Sequence, residues 1–166
     1  TEDIFSLIDQ MADLGAQRLG IWGGEPLLRD DIGAIIDHAR RRDLFTTLDS
    51  NGKLVPQRLA ELKNLDHMIL SLDGRPEHHD AQRGKGSHQQ VLEAITAARK
   101  IMPVWTITVL TRNNLDDMDY ILEESVRLNF VPTFQILHHS EALGTNDELM
   151  PTPEEYRRGL AYFCLL

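Results

Sequence analysis

The sequence has one cysteine, little positive charge and no long apolar run, and each shortage argues against a class of protein. Cys164 is the only cysteine in 166 residues, so the chain alone cannot build an internal disulfide or a cysteine-based metal site. Seventeen Lys and Arg against 26 Asp and Glu give a net charge of −9, which disfavours nucleic acid as a partner. No apolar run approaches the roughly 20 residues of a membrane helix, and the N-terminal segment lacks a basic signal region. The sequence therefore predicts a cytoplasmic chain without membrane insertion or secretion.

What the sequence does contain is a regular alternation of strand and helix signals. Apolar residues at helical spacing predict an opening helix over residues 1–14. Five β-rich runs follow near 18–22, 45–49, 67–72, 104–110 and 132–138, with amphipathic helical segments between them and no hairpin signals. This pattern indicates an α/β fold with a parallel sheet, either open and doubly wound or curved as part of a barrel. The length suits a single domain over residues 1–166.

Most of the later helices are predicted to begin at a capping residue or at a proline in the first turn. The predicted starts lie at Asp30, Pro56, Ser87, Asn114 and Thr152. Residues 75–86 read RPEHHDAQRGKG and are predicted to form the longest strand-to-helix loop, because they are polar and contain glycine. The opening helix has no strand before it, although a crossover helix normally follows its strand. A first strand is therefore expected upstream of this sequence.

The carboxyl ends of the predicted strands carry small and polar residues, and ligands of parallel α/β folds bind at such ends. The first run is followed by Gly23, Gly24, Glu25 and Pro26. The glycines let the backbone approach a ligand closely, and the residue before a proline is held extended. The carbonyls of Gly24 and Glu25 are predicted to point outward together and, with the Glu25 carboxylate, to accept hydrogen bonds from an ammonium group. The alternative interpretation is an ordinary turn with a surface glutamate.

Candidate binding residues also follow the next two strands. Ser50 and Asn51 end the second run, while Ser71 and Asp73 share one face of the third. A hydroxyl and a carboxylate on one face suit a ribose or an amino acid. Arg83 could hold a carboxylate through two parallel hydrogen bonds, or it could be a solvated surface arginine.

Two other kinds of site are disfavoured. Histidines occur as adjacent pairs at 78–79 and 138–139, but neighbouring residues of extended chain point to opposite sides, so a metal site is not predicted. An enzyme that binds phosphate at its strand ends is a weaker alternative, because neither a Walker loop nor a GxGxxG fingerprint is present.

Four segments, in this order, closely resemble the core of radical S-adenosylmethionine (radical SAM) enzymes. They read WGGEPLLRDDI, LDSNGKL, ILSLDG and HHDAQRGKGSHQQVLEAI. The resemblance implies a partial TIM-like (β/α)6 barrel with parallel strands and S-adenosylmethionine (SAM) as cofactor, its methionine ammonium lying on the GGEP segment. Together with the strand-end pattern, it gives the candidate cofactor-binding residues Gly23, Gly24, Glu25, Pro26, Ser50, Asn51, Ser71, Asp73, Arg83 and Leu137.

The resemblance also implies individual roles. Asn51 lies where the family usually has Thr-Asn-Gly, here Ser-Asn-Gly, at the end that lines the cofactor and substrate cavity. Ser71 matches a serine that contacts the cofactor. Arg83 matches an arginine near the carboxylate of the cofactor, and Leu137 would lie beside the adenine.

The sequence departs from the family at one essential point. Family members hold a [4Fe–4S] cluster on a CxxxCxxC loop after the first strand, and its fourth iron binds the amino and carboxylate groups of SAM. This sequence has no such loop, and Cys164 cannot replace three closely spaced thiolates. It is thus either a core fragment without the first strand and cluster loop, or a cluster-free relative with a binding or structural role. The fragment is favoured, because a natural chain rarely leaves the edge of a central strand exposed.

The favoured interpretation predicts an oxidoreductase or transferase. The full-length protein would cleave SAM reductively to begin radical chemistry, with flavodoxin or ferredoxin as electron donor. Its substrate class is left open between a small molecule and a peptide. The 166-residue chain alone is expected to be inactive.

Overall fold

Helices and parallel strands alternate along the chain. A computed structural model describes residues 1–138 and 147–163. The helices are α1 (Glu2–Asp13), α2 (Ile32–Arg41), α3 (Val55–Arg58), α4 (Pro76–Arg83), α5 (Ser87–Ala98), α6 (Met118–Leu128) and α7 (Pro153–Phe163). The strands are β1 (Arg18–Ile21), β2 (Phe45–Ser50), β3 (His67–Ser71), β4 (Val104–Leu110) and β5 (Val131–Ile136). The α/β class and the five strand positions predicted from the sequence are therefore confirmed, with ends that differ by one or two residues.

The strands form one sheet in the order β1-β2-β3-β4-β5. In the parallel pairing of β1 with β2, Arg18 lies opposite Phe45. In the parallel pairing of β2 with β3, Thr47 lies opposite His67. Parallel neighbours place their carboxyl ends at the same edge, so the ends of β1, β2 and β3 lie side by side.

The chain divides into two compact units. The first comprises residues 1–71 and 90–105, and the second comprises residues 72–89 and the described residues from 106 onward. In the first unit, α1 and α2 bury an apolar cluster of Ile8, Ile35, Ala39 and Leu44. Burying a leucine or isoleucine side chain completely stabilises the folded state by about 1.5–3 kcal/mol, and burying an alanine stabilises it by less. In the second unit, Leu110, Leu115 and Met118 form the buried cluster.

Strand β2 shows which face of the first unit carries polar residues. Thr46, Leu48 and Ser50 are buried on one side, whereas Phe45, Thr47 and Asp49 alternate with them and are at least partly exposed. The register extends this second side across the neighbouring strands. We call it the open face of the first unit, and its residues are Arg18, Phe45, Thr47, Asp49, His67, Ile69, Ser71 and Trp105.

The largest departure from the sequence prediction lies at residues 75–86. A loop was predicted there, and that prediction is wrong, because Pro76–Arg83 forms helix α4 with the proline in its first turn. The inward side of α4 carries His79 and Arg83 rather than apolar residues, so it has no hydrophobic periodicity. Asp80 accepts hydrogen bonds from the backbone N–H groups of Gly86 at 2.6 Å and His88 at 2.8 Å, which fixes the turn between α4 and α5.

The predicted helix starts have mixed outcomes. The Thr152 capping box is confirmed, because Glu155 N–H donates to Thr152 Oγ1 at 3.2 Å and Thr152 N–H donates to the Glu155 carboxylate at 2.7 Å. The cap at Asp30 is wrong, since α2 begins at Ile32 with Asp31 as its N-cap residue. Asn114 is the N-cap residue of the 3-10 turn that leads into α6, but its side chain makes no capping hydrogen bond. The helix predicted from Pro56 is only α3 followed by a 3-10 turn over Leu59–Leu62.

None of the helices within residues 1–138 and 147–163 combines the length and the apolar composition that a bilayer span requires.

Candidate functional site

The turn after β1 leaves backbone atoms uncovered. Gly23 has a φ of +139°, which favours glycine, and Glu25 is extended with φ −139° and ψ 105° before Pro26. A Cβ atom added to Gly23 or Gly24 would meet nothing within 4 Å. The carbonyls of both glycines accept no hydrogen bond from the described residues. This turn therefore presents free acceptors to a ligand, which fits an ammonium group.

The carboxylate of Glu25 accepts three hydrogen bonds that could not be predicted from the sequence. Its Oε1 accepts hydrogen bonds from Leu27 N–H at 3.1 Å and from the Ser50 hydroxyl at 2.9 Å. Its Oε2 accepts a hydrogen bond from Asn51 N–H at 2.9 Å. Glu25 thus ties the end of β1 to the end of β2, instead of offering its whole carboxylate to a cation. Its carbonyl accepts Leu28 N–H at 3.1 Å, so the prediction of an outward carbonyl at Glu25 is wrong, because the 3-10 turn that follows uses it.

The Ser-Asn-Gly segment after β2 is a turn held by its own side chains. Ser50 Oγ accepts Gly52 N–H at 3.1 Å, and Asn51 Oδ1 accepts Lys53 N–H at 2.9 Å. Gly52 has a φ of +87°, and a Cβ there would lie 3.1 Å from Ala94 Cβ. The amide nitrogen of Asn51 is exposed and donates to no described residue. Glu25 therefore links the turn at Gly23 and Gly24 to the turn after β2. Ser71 lies on the open face of the first unit, and its hydroxyl has no hydrogen-bond partner among the described residues.

In the second unit, Asp73 is paired internally. Its carboxylate is 0% exposed and accepts hydrogen bonds from Arg83 Nε and from Val109 N–H at 3.2 Å. The Arg83 side chain is 29% exposed, and its two terminal nitrogens contact no acceptor in the described residues. The buried carboxylate of Asp73 therefore orients Arg83, whose outer edge can still bind an anion. Leu137 directly follows β5 and is half-buried.

A buried histidine on α4 supports this arrangement and was not predicted from the sequence. Asp73 N–H donates to His79 Nδ1 at 3.0 Å, so the neutral ring carries its proton on Nε2. That nitrogen is buried and has no hydrogen-bond partner. The His88 ring lies 5.8 Å away in an edge-to-face arrangement, and His88 Nε2 is 2.8 Å from the Tyr120 hydroxyl. The only sequence signal was the position of His79 one helical turn before Arg83.

The burial of His79 predicts a loss of stability in mild acid. Burial lowers the pKa of His79 to about 4, against about 6.5 in an unfolded chain. Between these values the unfolded chain binds a proton that the folded chain does not, so stability falls as the pH falls. The loss from pH 6.5 to pH 4 is at most roughly 3 kcal/mol. Urea unfolding across this range measures it.

His79→Gln is the matched variant, because a glutamine oxygen can still accept the Asp73 N–H. We expect it to flatten the slope between pH 6.5 and 4, leaving the smaller part due to His67 and His88, whose pKa values burial also lowers. Paired carboxylates such as Asp31, with a pKa of about 2, lose their contribution only at lower pH. An unchanged slope in the variant would contradict this role of His79.

The polar residues after β4 have mainly a structural role. Asn114 Oδ1 accepts Thr111 N–H at 2.7 Å, and Asn114 Nδ2 donates to the carbonyls of Asp73 at 2.6 Å and Val109 at 2.9 Å. Asn113, by contrast, lines a pocket of about 440 Å³ in the second unit. The other residues around this pocket are His78, Ala81, Gln82, Asn114 and Leu149.

The histidine pairs do not assemble a metal site in the part of the chain that the structure describes. His78 Nδ1 is 2.7 Å from Asp117 Oδ2, whereas His79 turns toward the Asp73 backbone. His138 is exposed, and His139 lies outside the described residues. Across residues 1–138 and 147–163, no group of three or more His, Cys, Asp or Glu side chains is arranged to hold a metal ion.

The sequence is similar to a protein-family model and to longer curated proteins. A family model described as the Radical SAM superfamily matches residues 1–124. The PqqA peptide cyclase of Rhizobium meliloti (strain 1021) is 32% identical over 163 residues, covering 93% of this chain and 44% of that protein. The GTP 3',8-cyclase of Sulfurovum sp. (strain NBC37-1) is 30% identical over 155 residues, covering 86% of this chain and 47% of that protein.

The fold is also similar to that of a solved protein, Streptococcus suis SuiB. The TM-score is 0.83 at 15% identity, over 98% of this chain and 39% of SuiB. SuiB structures bound to S-adenosylmethionine and to the precursor peptide SuiA give TM-scores of 0.79 and 0.78. At this identity the likeness shows the fold alone, and it confirms the predicted TIM-like class. The chain spans less than half the length of each of these relatives.

Proposed function

The chain belongs to the radical SAM superfamily, and on that premise we propose that it is the core of a longer radical SAM enzyme, here called the parent protein. The observation that carries the proposal is the glycine turn after β1, with its free carbonyls and open space. In that parent protein, SAM and a [4Fe–4S] cluster supply reductive cleavage of the sulfonium and a radical that removes hydrogen from the substrate. The chain itself has one cysteine, so the cluster ligands are proposed to lie elsewhere in the parent protein.

The residues of this chain would bind and orient SAM. We assign the ammonium group to the carbonyls of Gly23 and Gly24, with Glu25 holding the turn in place. Arg83, oriented by Asp73, supplies donors for the SAM carboxylate. Ser71 and Leu137 are proposed to contact the rest of the cofactor. A single domain over residues 1–166, a cytoplasmic location and a flavodoxin or ferredoxin as electron donor remain part of this proposal.

A peptide is the substrate class that the relatives favour. The PqqA peptide cyclase is named for a peptide, and SuiB has been solved with its precursor peptide. The GTP 3',8-cyclase, named for a nucleotide, keeps a small molecule as the alternative. The acidic charge of −9 on the chain suits a peptide with basic residues better than an anionic ligand.

Gly24→Val tests the proposed cofactor site. Gly24 has no positive φ, and a Cβ there meets nothing within 4 Å, so the fold should accept the side chain. The added atoms would fill the space above the free carbonyls and keep the ammonium away. At a SAM concentration below saturation, we expect the cluster-loaded parent protein to form 5'-deoxyadenosine under reduction, and the variant to form it at least about tenfold more slowly, a loss of about 1.4 kcal/mol in binding. The unfolding midpoint of the variant should stay close to that of the unmodified protein.

Two controls separate the alternatives. The 166-residue chain alone, after the same reconstitution, should form no 5'-deoxyadenosine. A parent protein without a CxxxCxxC sequence and without SAM cleavage would support a cluster-free binding module instead. Full activity in the stable Gly24→Val protein would remove the glycine turn from the cofactor site.

A further inference from the structure

The open face of the first unit carries a groove of ligand size. Its volume is about 490 Å³, within the range of small-ligand sites. Phe45 and Trp105 line it and are 41% and 42% exposed, while Ile69 lies between the two strands that carry them. Large aromatic side chains left partly uncovered in this way offer contact area to the stem of a long side chain.

Asp49 lies on the same face, near the carboxyl end of β2, whereas Phe45 and Thr47 of this strand line the groove. It is the next residue after Thr47 on this side of β2, and it pairs in register with Ile69 of β3. The side chain is half-buried, and its carboxylate makes no hydrogen bond or ion pair within residues 1–138 and 147–163. Burial without a partner raises the pKa of Asp49, which means that the charged form is held at a cost.

The other charged groups near the groove are already engaged. Asp66 accepts hydrogen bonds from Thr46 N–H at 2.8 Å and from Arg40 at 3.0 Å. Arg18 lies at the opposite end of the face, where its guanidinium stacks 5.0 Å above the Phe45 ring. Asp49 is therefore the carboxylate on this face that still needs a donor.

We propose that Asp49 selects a substrate with a basic side chain, binding a lysine or arginine head group while the stem lies along Ile69 and Trp105. This inference rests on the proposed function and narrows its substrate class to a peptide with a cationic residue. A half-buried carboxylate gains a charge-assisted hydrogen bond when such a group arrives. Functional sites commonly keep a group of this kind at a cost to stability.

Four blocked pentapeptides test the proposal. They have the form Ala-Ala-X-Ala-Ala with X as Lys, Arg, Gln or Glu, and their affinities for the SAM-loaded parent protein are measured by calorimetry. We expect the Lys and Arg peptides to bind about tenfold more tightly than the Gln peptide, as one charged hydrogen bond would give. Asp49→Asn should abolish this preference, and Asp49→Lys should shift it toward Glu. Asp3→Asn, which removes an exposed charge from α1, should leave the preference and the rate of SAM cleavage unchanged.

The outcomes separate this inference from the proposed function. Formation of 5'-deoxyadenosine by the unmodified parent protein tests the function, whereas the peptide preference tests Asp49. Equal affinities for Lys, Gln and Glu peptides, or an unchanged preference in Asp49→Asn, would overturn the role of Asp49. Loss of SAM cleavage without peptide in that variant would assign Asp49 to the cofactor instead and would also overturn it. The unfolding midpoint of Asp49→Asn should rise, because the substitution removes the half-buried charge. A cooperative unfolding transition would also show that the variant folds.

Discussion

Arg83→Ala should lower the free energy of unfolding by about 3 kcal/mol, the usual cost of leaving a buried charge without its partner. The substitution removes the guanidinium from Asp73, whose carboxylate is 0% exposed and keeps only the Val109 N–H. Helix α4 would also lose one of its two hydrogen bonds to Asp73, the other being the bond from Asp73 N–H to His79. Urea unfolding of the chain at pH 7 measures the change.

A double-mutant cycle identifies the source of this cost. Adding Asp73→Asn to Arg83→Ala removes the unpaired charge and should recover part of the loss. The matched control is Arg127→Ala, which breaks an i,i+3 pair with Glu124 on α6 in which the Arg127 side chain is 57% exposed, and it should cost less than about 1 kcal/mol. If Arg83→Ala cost no more than Arg127→Ala, the Asp73 carboxylate would not depend on Arg83.

Gly74→Ala should be equally damaging, for a steric reason. Gly74 has a φ of +140°, and a Cβ there would lie 2.2 Å from Asp117 Oδ2. Asp117 cannot move away easily, because it is buried and accepts hydrogen bonds from Arg75 N–H at 2.9 Å and from His78 at 2.7 Å. We expect a loss of about 3 kcal/mol or more, combining backbone strain with the disrupted contacts of Asp117.

Gly84→Ala is the control that isolates backbone strain. Gly84 also has a positive φ, +103°, but a Cβ there meets nothing within 4 Å. Its cost should stay near 1 kcal/mol, the lower end of the range for such strain. Thermal and urea unfolding of both variants compare the two costs directly. Equal losses would show that Asp117 moves aside and that only the backbone conformation matters at Gly74.

The parts of the fold that followed from the sequence are those with a local signal. The strands were predictable because β-branched and apolar residues concentrate in short runs, as in Val104–Leu110. The start of α7 was predictable because Thr152 and Glu155 bond reciprocally within four residues. Helix α4 was not, because the residues that fix it, His79 and Arg83, are polar and bond to Asp73, which is itself in an irregular segment.

The candidate site shows the same division. Position in the chain placed Gly23, Gly24 and Ser50 at strand ends, since a parallel sheet brings those ends together. The partners of Glu25 could not be predicted, because a glutamate has many acceptors and donors within reach once the chain is folded. Only the structure shows that it bonds to Ser50 and Asn51. The binding of SAM by these residues stays a prediction, which the Gly24→Val experiment tests.

The strand order of the first 71 residues has a consequence for biosynthesis. Strands β1, β2 and β3 pair in the order in which the ribosome produces them, each with the strand made just before it. No pairing among these three strands has to wait for a segment that is translated after residue 71. Nearest-neighbour pairing of this kind keeps the entropy cost of loop closure low. This part of the sheet can therefore assemble co-translationally, one strand at a time.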